Sequence, residues 1–268
     1  MCPPMALDPN ALAAFDLALQ AERFFAAMIR SATTGPGTDP NLGGKLLYAG
    51  ELDAQGRALI VAANIAGAAS LAATAELAAQ KQAIRDGVAD FLVTSLDEAL
   101  RILKNEIRKR ETVAVCVAGA PEEVEREMLQ RGVLPDLLRP ASAAPESAKF
   151  LSQGAQQIQL SSLEENQTLL AWSVTSAPAQ WLPKLDALAL DCLEPEDAAA
   201  RRWLRLAPRY LGRLAQNQRL LRTNKASAQK FLEQLRDQVE QGKIKVPVEI
   251  SLITPAQTQQ HQFSPLTC

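Results

Sequence analysis

Few side chains in this sequence could do chemistry, and most stand in unpromising places. A single histidine, His261, serves all 268 residues. It lies in QTQQHQFSPLTC near the C-terminus, a polar context that reads as a solvated tail. A Ser-His-Asp triad, a Cys-His dyad or a His-rich zinc site needs a histidine held in a structured place, so those chemistries are excluded. The four cysteines, Cys2, Cys116, Cys192 and Cys268, form no CxxC and suit neither a disulfide framework nor a metal knuckle. No metal site is expected. Cys116, inside TVAVCVAG, reads as a small core residue. Cys192 has Asp191 and Glu194 beside it, and nearby negative charge raises a thiol pKa, the wrong direction for a nucleophile. Catalysis is left to carboxylates, Lys, Tyr, Cys or a bound cofactor. Glu122, Glu123, Glu125 and Glu127 open a helix after Pro121, where the helix dipole accounts for the first of them without any catalytic role.

The densest charge lies further on. Residues 198–225 hold eight basic side chains and no acid. Arg201, Arg205 and Arg209 recur at helical spacing; Arg202, Arg213, Arg219, Arg222 and Lys225 extend the positive charge. Read as one helix, this stretch carries an apolar stripe of Trp203, Leu206, Ala207, Tyr210, Leu214 and Leu221. Arginine forks grip carboxylates and phosphates bidentately, so Arg202, Arg205, Arg209 and Arg213 are candidates for an anionic ligand or an acidic protein surface. The competing reading pairs them with Asp186, Asp191, Glu194, Glu196 and Asp197 just upstream. No aromatic stacking motif accompanies the arginines, which argues against nucleic acid.

These residues must be carried by a sizeable fold. Hydrophobic residues make up 47% of the chain, aromatics only 4%, so Ala, Leu and Val do most of the filling. A net charge of −2 excludes a globally basic nucleic-acid binder and an acidic disordered protein. No apolar run approaches the ~18 residues that span a bilayer. The start, MCPPMALDPN, lacks the pattern of a secretory signal. A reduced, cytoplasmic setting is expected.

Residues 10–31 read as an amphipathic helix, and the Gly/Pro-rich stretch 33–44 as a breaker. KLLYAGEL (45–52) reads as a strand, and RALIVAANIAG (57–67) as a second apolar run. A helix is expected over 68–86, ending at Gly87. Strands follow at 89–95 and 112–119, helices at 96–110 and 121–132, and a further apolar piece at 134–140. Strand and helix alternating at this spacing favour a parallel sheet flanked by helices. Beyond 140 the pattern changes: a strand at 168–174, helix over 196–223, another helix at 227–242, and a strand at 246–253. The expected architecture is therefore α/β, a Rossmann-like parallel sheet flanked by helices plus a mainly helical C-terminal region. The segments are 1–44 (helix and linker), 45–145 (Rossmann-like domain), 146–254 (helical with flanking strands) and 255–268 (disordered tail).

Several blocks point to a family. N-I-A-G-A-A-S-L (64–71), G-V-A-D (87–90), S-L-D-E-A-L (95–100), V-A-V-C-V-A-G (113–119) and E-M-L-Q-R-G-V-L-P-D (127–136) resemble, in order and spacing, the nicotinamide-dinucleotide domain of urocanase, urocanate hydratase. The resemblance covers about residues 45–140. It implies a Rossmann-like domain, an NAD cofactor and a lyase of the hydratase type in histidine catabolism. Because urocanase dimerises, it also implies a homodimer.

The departures fall where that family binds its cofactor. Its glycine-rich turn, G-L-G-G-M-x-G-A-Q, is replaced by Gly50-Glu51-Leu52-Asp53-Ala54-Gln55-Gly56-Arg57-Ala58. Gly50 and Gly56 remain, but Glu51 and Asp53 bring negative charge where phosphates would sit. The acid that would meet ribose hydroxyls is replaced near Thr74, with Ala79 at the family's arginine. Glu76, two residues on, is turned away by ~200° on a helix. The family's Gly-Asn is Gly119-Ala120 here. Its Asp-Gln-Thr-Ser-x-His is Pro140-Ala141-Ser142-Ala143-Ala144-Pro145. Its Tyr-Cys-Asp motif is absent, and urocanase is roughly twice this length. The cofactor positions left for testing are Gly50, Gly56, Thr74, Gly119 and Ser142, and the expectation is that no NAD is held. Three functions are weighed: a urocanase relative without NAD or catalysis, acting by binding or assembly beside histidine catabolism; a divergent urocanate hydratase-type lyase; and an arginine-rich helix module for an anionic partner.

Overall fold

The structure, a computed structural model, describes residues 9–32, 40–140, 145–253 and 266–267. The chain divides into two compact units: Gln20–Ser161, and Met1–Leu19 together with Ser162–Cys268. The division falls inside helix α1 (Pro9–Ala32), the amphipathic helix expected from the sequence. The unit that holds the parallel sheet runs from Gln20 to Ser161. The later part of α1 buries Phe24, Phe25 and Met28, and strand pairing continues past residue 145.

In the Gln20–Ser161 unit, strands β1 (Leu46–Glu51), β2 (Ala69–Ala73), β3 (Phe91–Val93), β4 (Ala114–Val117), β5 (Leu137–Leu138) and β6 (Gln156–Gln157) form one sheet in the order β3-β4-β2-β1-β5-β6. Every pairing is parallel. Helices α2 (Ala54–Ala66), α3 (Leu77–Arg85), α4 (Leu96–Lys109), α5 (Pro121–Gln130) and α6 (Pro145–Ser152) flank it. This is the α/β, Rossmann-like parallel sheet the sequence calls for. One face of the core joins Tyr48, Leu71 and Val115 to Leu96, Leu100 and Leu103 of α4 and to Val124 and Met128 of α5. The alternate residues of β1, Leu47 and Ala49, are equally buried, so the other face is covered too.

The helix expected over 68–86 is wrong in its first half. Residues 57–67 are helical instead, as part of α2, which ends at Gly67 with φ +90, its N–H on the carbonyls of Ala63 and Asn64. Ala69–Ala73 then pairs with both β1 and β4. All five residues are buried, so no period-2 pattern reveals the strand, and its alanines favour a helix on propensity alone.

The retained motif residues hold this scaffold together. Asp136, in the Arg-Gly-Val-Leu-Pro-Asp block, accepts the Leu46 N–H at 2.9 Å and the Lys45 ammonium at 2.8 Å. Asp90 accepts the Ala114 N–H at 2.8 Å, tying the start of β3 to β4. Asn64 takes the Thr112 hydroxyl at 3.0 Å. Ser95 caps α4, and Glu98 reaches back to the Thr94 N–H at 2.9 Å.

The other unit contains β7 (Gln167–Ser173), α7 (Pro178–Cys192), α8 (Ala198–Leu211), a 3₁₀ turn (Gly212–Ala215), β8 (Gln218–Asn224), α9 (Lys225–Glu240), β9 (Glu249–Ile253) and β10 (Leu266–Thr267). The mainly helical region expected here is built on an antiparallel sheet, in the order β10-β9-β7-β8. Leu163, Leu169, Ala171, Leu220 and Ile253 form its core cluster, with Phe15 and Leu19 of α1 packed against it. The helix expected over 196–223 stops at Leu211. Gly212, at φ 54, turns the chain, and Gln218–Asn224 pairs along β7. The expected tail at 255–268 lies outside the described residues, except for the two residues of β10.

Candidate functional site

In an open parallel sheet, ligands bind beyond the carboxyl ends of the strands, where the strand order reverses. That point here lies between β1 and β5. β1 leads through α2 to β2 on one side, and β5 pairs on the other. The residues that meet there are Gly50 and Glu51 at the end of β1, Leu52 and Asp53 in the turn, Gln55 and Gly56 at the start of α2, and Arg139 directly after β5.

Asp53 is the N-cap of α2. Its Oδ1 accepts the Gly56 N–H at 2.7 Å, so the chain's own carboxylate satisfies a donor that the helix start offers to an anion. Gly56 serves packing. A Cβ there would lie 2.1 Å from the Glu51 carbonyl oxygen. Arg139 spans the turn. Its Nη1 donates to the carbonyls of Ala49 at 3.3 Å and Glu51 at 3.4 Å. Its Nη2 donates to Asp53 Oδ2 at 3.1 Å and to the side-chain oxygen of Gln55. Gly50, at φ +70, lies under its stem, where a Cβ would come within 3.0 Å of the arginine Cδ.

Of the other positions expected at a cofactor, Thr74 and Gly119 belong to the backbone frame. Thr74 is fully buried, its N–H on Val117 O at 3.1 Å. Its own carbonyl accepts the Gly119 N–H at 3.2 Å and the Gln80 side-chain amide at 2.9 Å. Glu76 is exposed. Gly119 has room for a side chain, the nearest atom to an added Cβ being 4.0 Å away. Ser142 lies outside the described residues.

Beneath the crevice lies a polar pair that sequence reasoning passed over. Tyr48 on β1 is buried, its hydroxyl donating to Pro121 O at 3.4 Å, with the Glu125 carboxylate of α5 close enough to act on it. Burial first, then the Glu125 charge, pushes the phenol well above its usual range. Glu125 is only 4% exposed and its Oε2 has no partner. Burial raises its carboxyl, the Tyr48 hydrogen bond lowers it, and Glu146 and Glu122 raise it again. Cys116 is a buried core residue, as expected; burial, then the Glu51 charge, pushes its thiol up to about 11.

The arginines of the second unit are spread over different elements. Arg219, on β8 rather than on a helix, pairs with Asp186 at 3.0 Å and also donates to Ala215 O and Gln218 O. Arg201 closes the end of α7, donating to Leu193 O at 2.8 Å and Glu194 O at 3.1 Å. Arg205 and Arg209 are exposed on α8, and Arg209 lies 5.2 Å from the Tyr210 ring centre. Arg202 is half-buried, and the side chains of Arg213 and Leu214 lie outside the described residues. The single apolar stripe is corrected: α8 buries Ala200, Trp203, Leu204, Ala207 and Leu211, while Leu206 and Tyr210 are only half-buried. Of the five acids expected to fold back onto the arginines, Asp186 makes the ion pair with Arg219. Cys192 is buried against Gln234, and burial rather than Asp191 is the main cause of its raised pKa. His261 lies outside the described residues.

Across residues 24–171, from the later part of α1 into β7, the chain matches the family model of the urocanase Rossmann-like domain. The chain belongs to that family. The match is wider than the stretch from 45 to 140 that the motif blocks mark out. The turn between β1 and α2 lies inside the matched range. The residues present in this urocanase-family domain do not fit a diphosphate there. One α2 amide is already capped by Asp53, two carboxylates stand at the turn, and Arg139 is engaged with four acceptor groups. Among the described residues no three His, Cys, Asp or Glu side chains group to hold a metal ion, and no helix is long and apolar enough to cross a membrane. Arg139, like the Tyr48–Glu125 pair, is a residue that sequence reasoning missed. The available signal was an arginine at the carboxyl end of a short apolar run, immediately before Pro140.

Proposed function

We propose that this chain is a urocanase relative that has lost dinucleotide binding and the hydratase reaction, and that it acts by binding or assembly in a setting linked to histidine catabolism. The observation that carries the reading is the mutual neutralisation of Asp53 and Arg139 at the switch point. A diphosphate needs a positive field and close backbone approach at that place. The setting rests on family membership alone. A cytoplasmic homodimer belongs to the same proposal; the buried free thiols of Cys116 and Cys192 suit a reducing compartment.

Titration with NAD and with ADP-ribose in a calorimeter is expected to give no saturable heat. Incubation with urocanate and NAD is expected to leave the ultraviolet absorbance of urocanate unchanged. Stoichiometric uptake of NAD, or turnover at ordinary enzyme rates, overturns the reading in favour of a divergent hydratase-type lyase.

A second reading draws on α8. Arg205 and Arg209 are exposed on a helix that carries no acid. Such a face suits an acidic protein surface or an anionic ligand better than nucleic acid, for want of stacking aromatics. Binding to an acidic partner that persists unchanged after Arg202, Arg209 and Arg213 are replaced by Ala rejects it.

A further inference from the structure

At the carboxyl ends of β1 and β5 in the Gln20–Ser161 unit, Arg139 is held by the chain's own acceptors. Arg139 grips three successive stretches of chain: the end of β1 through the carbonyls of Ala49 and Glu51, the turn through Asp53, and the first turn of α2 through Gln55. A planar fork with five donors suits such a multi-point grip. Gly50, at φ +70, leaves the arginine stem room, since an added Cβ would meet its Cδ at 3.0 Å. The two charges are unequally sunk. The Arg139 side chain is 16% exposed and that of Asp53 is 47% exposed. The cation is therefore the partner that loses more when the pair is broken. Glu51 adds a second negative charge, its Oε1 turned onto the Leu52 N–H at 3.0 Å.

We propose that Arg139, Asp53 and Gln55 form an autoinhibitory clasp in which the Asp53 carboxylate acts as the chain's own anion and keeps polyphosphate anions off Arg139. This rests on the reading of lost dinucleotide binding and deepens it by naming the contact that keeps the crevice shut. The class of ligand excluded is the di- or polyphosphate anion.

The test uses the full chain with inorganic pyrophosphate as probe, followed by calorimetry and thermal shift. Asp53→Ser removes the charge but keeps a good N-cap residue. It should lower the pyrophosphate Kd by roughly tenfold or more, the worth of one moderate charge interaction. Glu51→Gln added to it should lower the Kd further, and Arg139→Met added to Asp53→Ser should abolish the gain. If folded Asp53→Ser binds no better than the unaltered chain, or the gain survives Arg139→Met, the clasp is overturned. A measurement without ligand covers variants that lose the fold. In urea unfolding, Asp53→Asn and Arg139→Met should together destabilise less than the two single changes combined; strict additivity overturns the clasp. Uptake of NAD by the unaltered chain sinks the proposed function whatever the variants do. If the unaltered chain binds nothing and the variants gain nothing, the clasp alone falls.

Discussion

Gly56 and Gly119 both stand at the carboxyl end of the sheet, yet space holds only one of them. A Cβ at position 56 would sit 2.1 Å from a backbone oxygen, whereas at 119 it would meet its first neighbour at 4.0 Å. Gly56→Ala must push the α2 start away from β1, at a cost of about 3 kcal/mol or more. Gly119→Ala should stay within about 0.5 kcal/mol of the unaltered chain. Urea midpoints of the two variants check this, and equal losses would contradict the packing argument. Glu125 gives a prediction with a pH sign. Its folded-state carboxyl is raised, mainly by burial, with Glu122 and Glu146 adding to the shift and Tyr48 and Arg139 opposing it. The folded state therefore holds the proton more tightly than the unfolded chain. Stability contributed by the protonated form is complete below the ordinary carboxyl range, about 4.3, and is lost as pH rises through the raised folded value. Glu125→Gln keeps an acceptor for Tyr48 and never ionises. It should be more stable than the unaltered chain at neutral pH by on the order of 1 kcal/mol. The gap should close toward pH 4, and parallel pH profiles would defeat the argument. Neither Glu125 nor Arg139 was legible as a site residue. Glu125 hides among exposed glutamates in one helix turn, and Arg139 acquires its role only when β5 lands beside β1.

Elements were legible where local signals agreed. α4 has its Ser95 cap, its Glu98 and an amphipathic face, and α5 has Pro121 and early acids; both form where the sequence places them. β2 was illegible because an alanine-rich strand buried on both faces carries no period. β8 was illegible for a different reason. Residues 201–222 keep arginines and leucines at spacings that suit a helix, but Gly212 ends α8 and β7 recruits the remainder. That switch of element changes what the arginines can do. Arg219, placed on a helix by its spacing, pairs from β8 with Asp186, one of the five acids the competing reading offered, and both side chains are largely buried. Burial raises the Asp186 carboxyl, and Arg219 pulls it back down. Truncating one member strands the other, so Asp186→Ala should cost about 3 kcal/mol. Replacing the pair by apolar residues of similar size, Asp186→Leu with Arg219→Met, should recover much of that loss. Urea unfolding of the single and double variants decides it. A double variant no more stable than Asp186→Ala would mean that the further bonds of Arg219 to Ala215 and Gln218, not the ion pair, hold β8 in place.

At the scale of the whole chain the informative quantity is the distribution of charge. Residues 1–150 carry 15 basic and 19 acidic side chains, net −4, and the remainder carry 13 and 11, net +2. The chain's isoelectric point lies near 5.7. Close to that pH the repulsion between copies vanishes, while acidic and basic halves of different copies still attract. Solubility at low ionic strength should therefore pass through a minimum near pH 5.7. About 0.15 M salt should relieve it, because screening then acts within ~8 Å. The arginine face of α8 supplies much of the second half's excess. Arg205→Glu with Arg209→Glu reverses two exposed charges, makes that half acidic and removes the attraction. In this variant the minimum should move to lower pH and lose its salt response. Turbidity across pH and sedimentation velocity at two salt concentrations measure both effects. A variant whose minimum and salt response match those of the unaltered chain would show that the arginines of α8 take no part in how copies of this protein attract anionic surfaces.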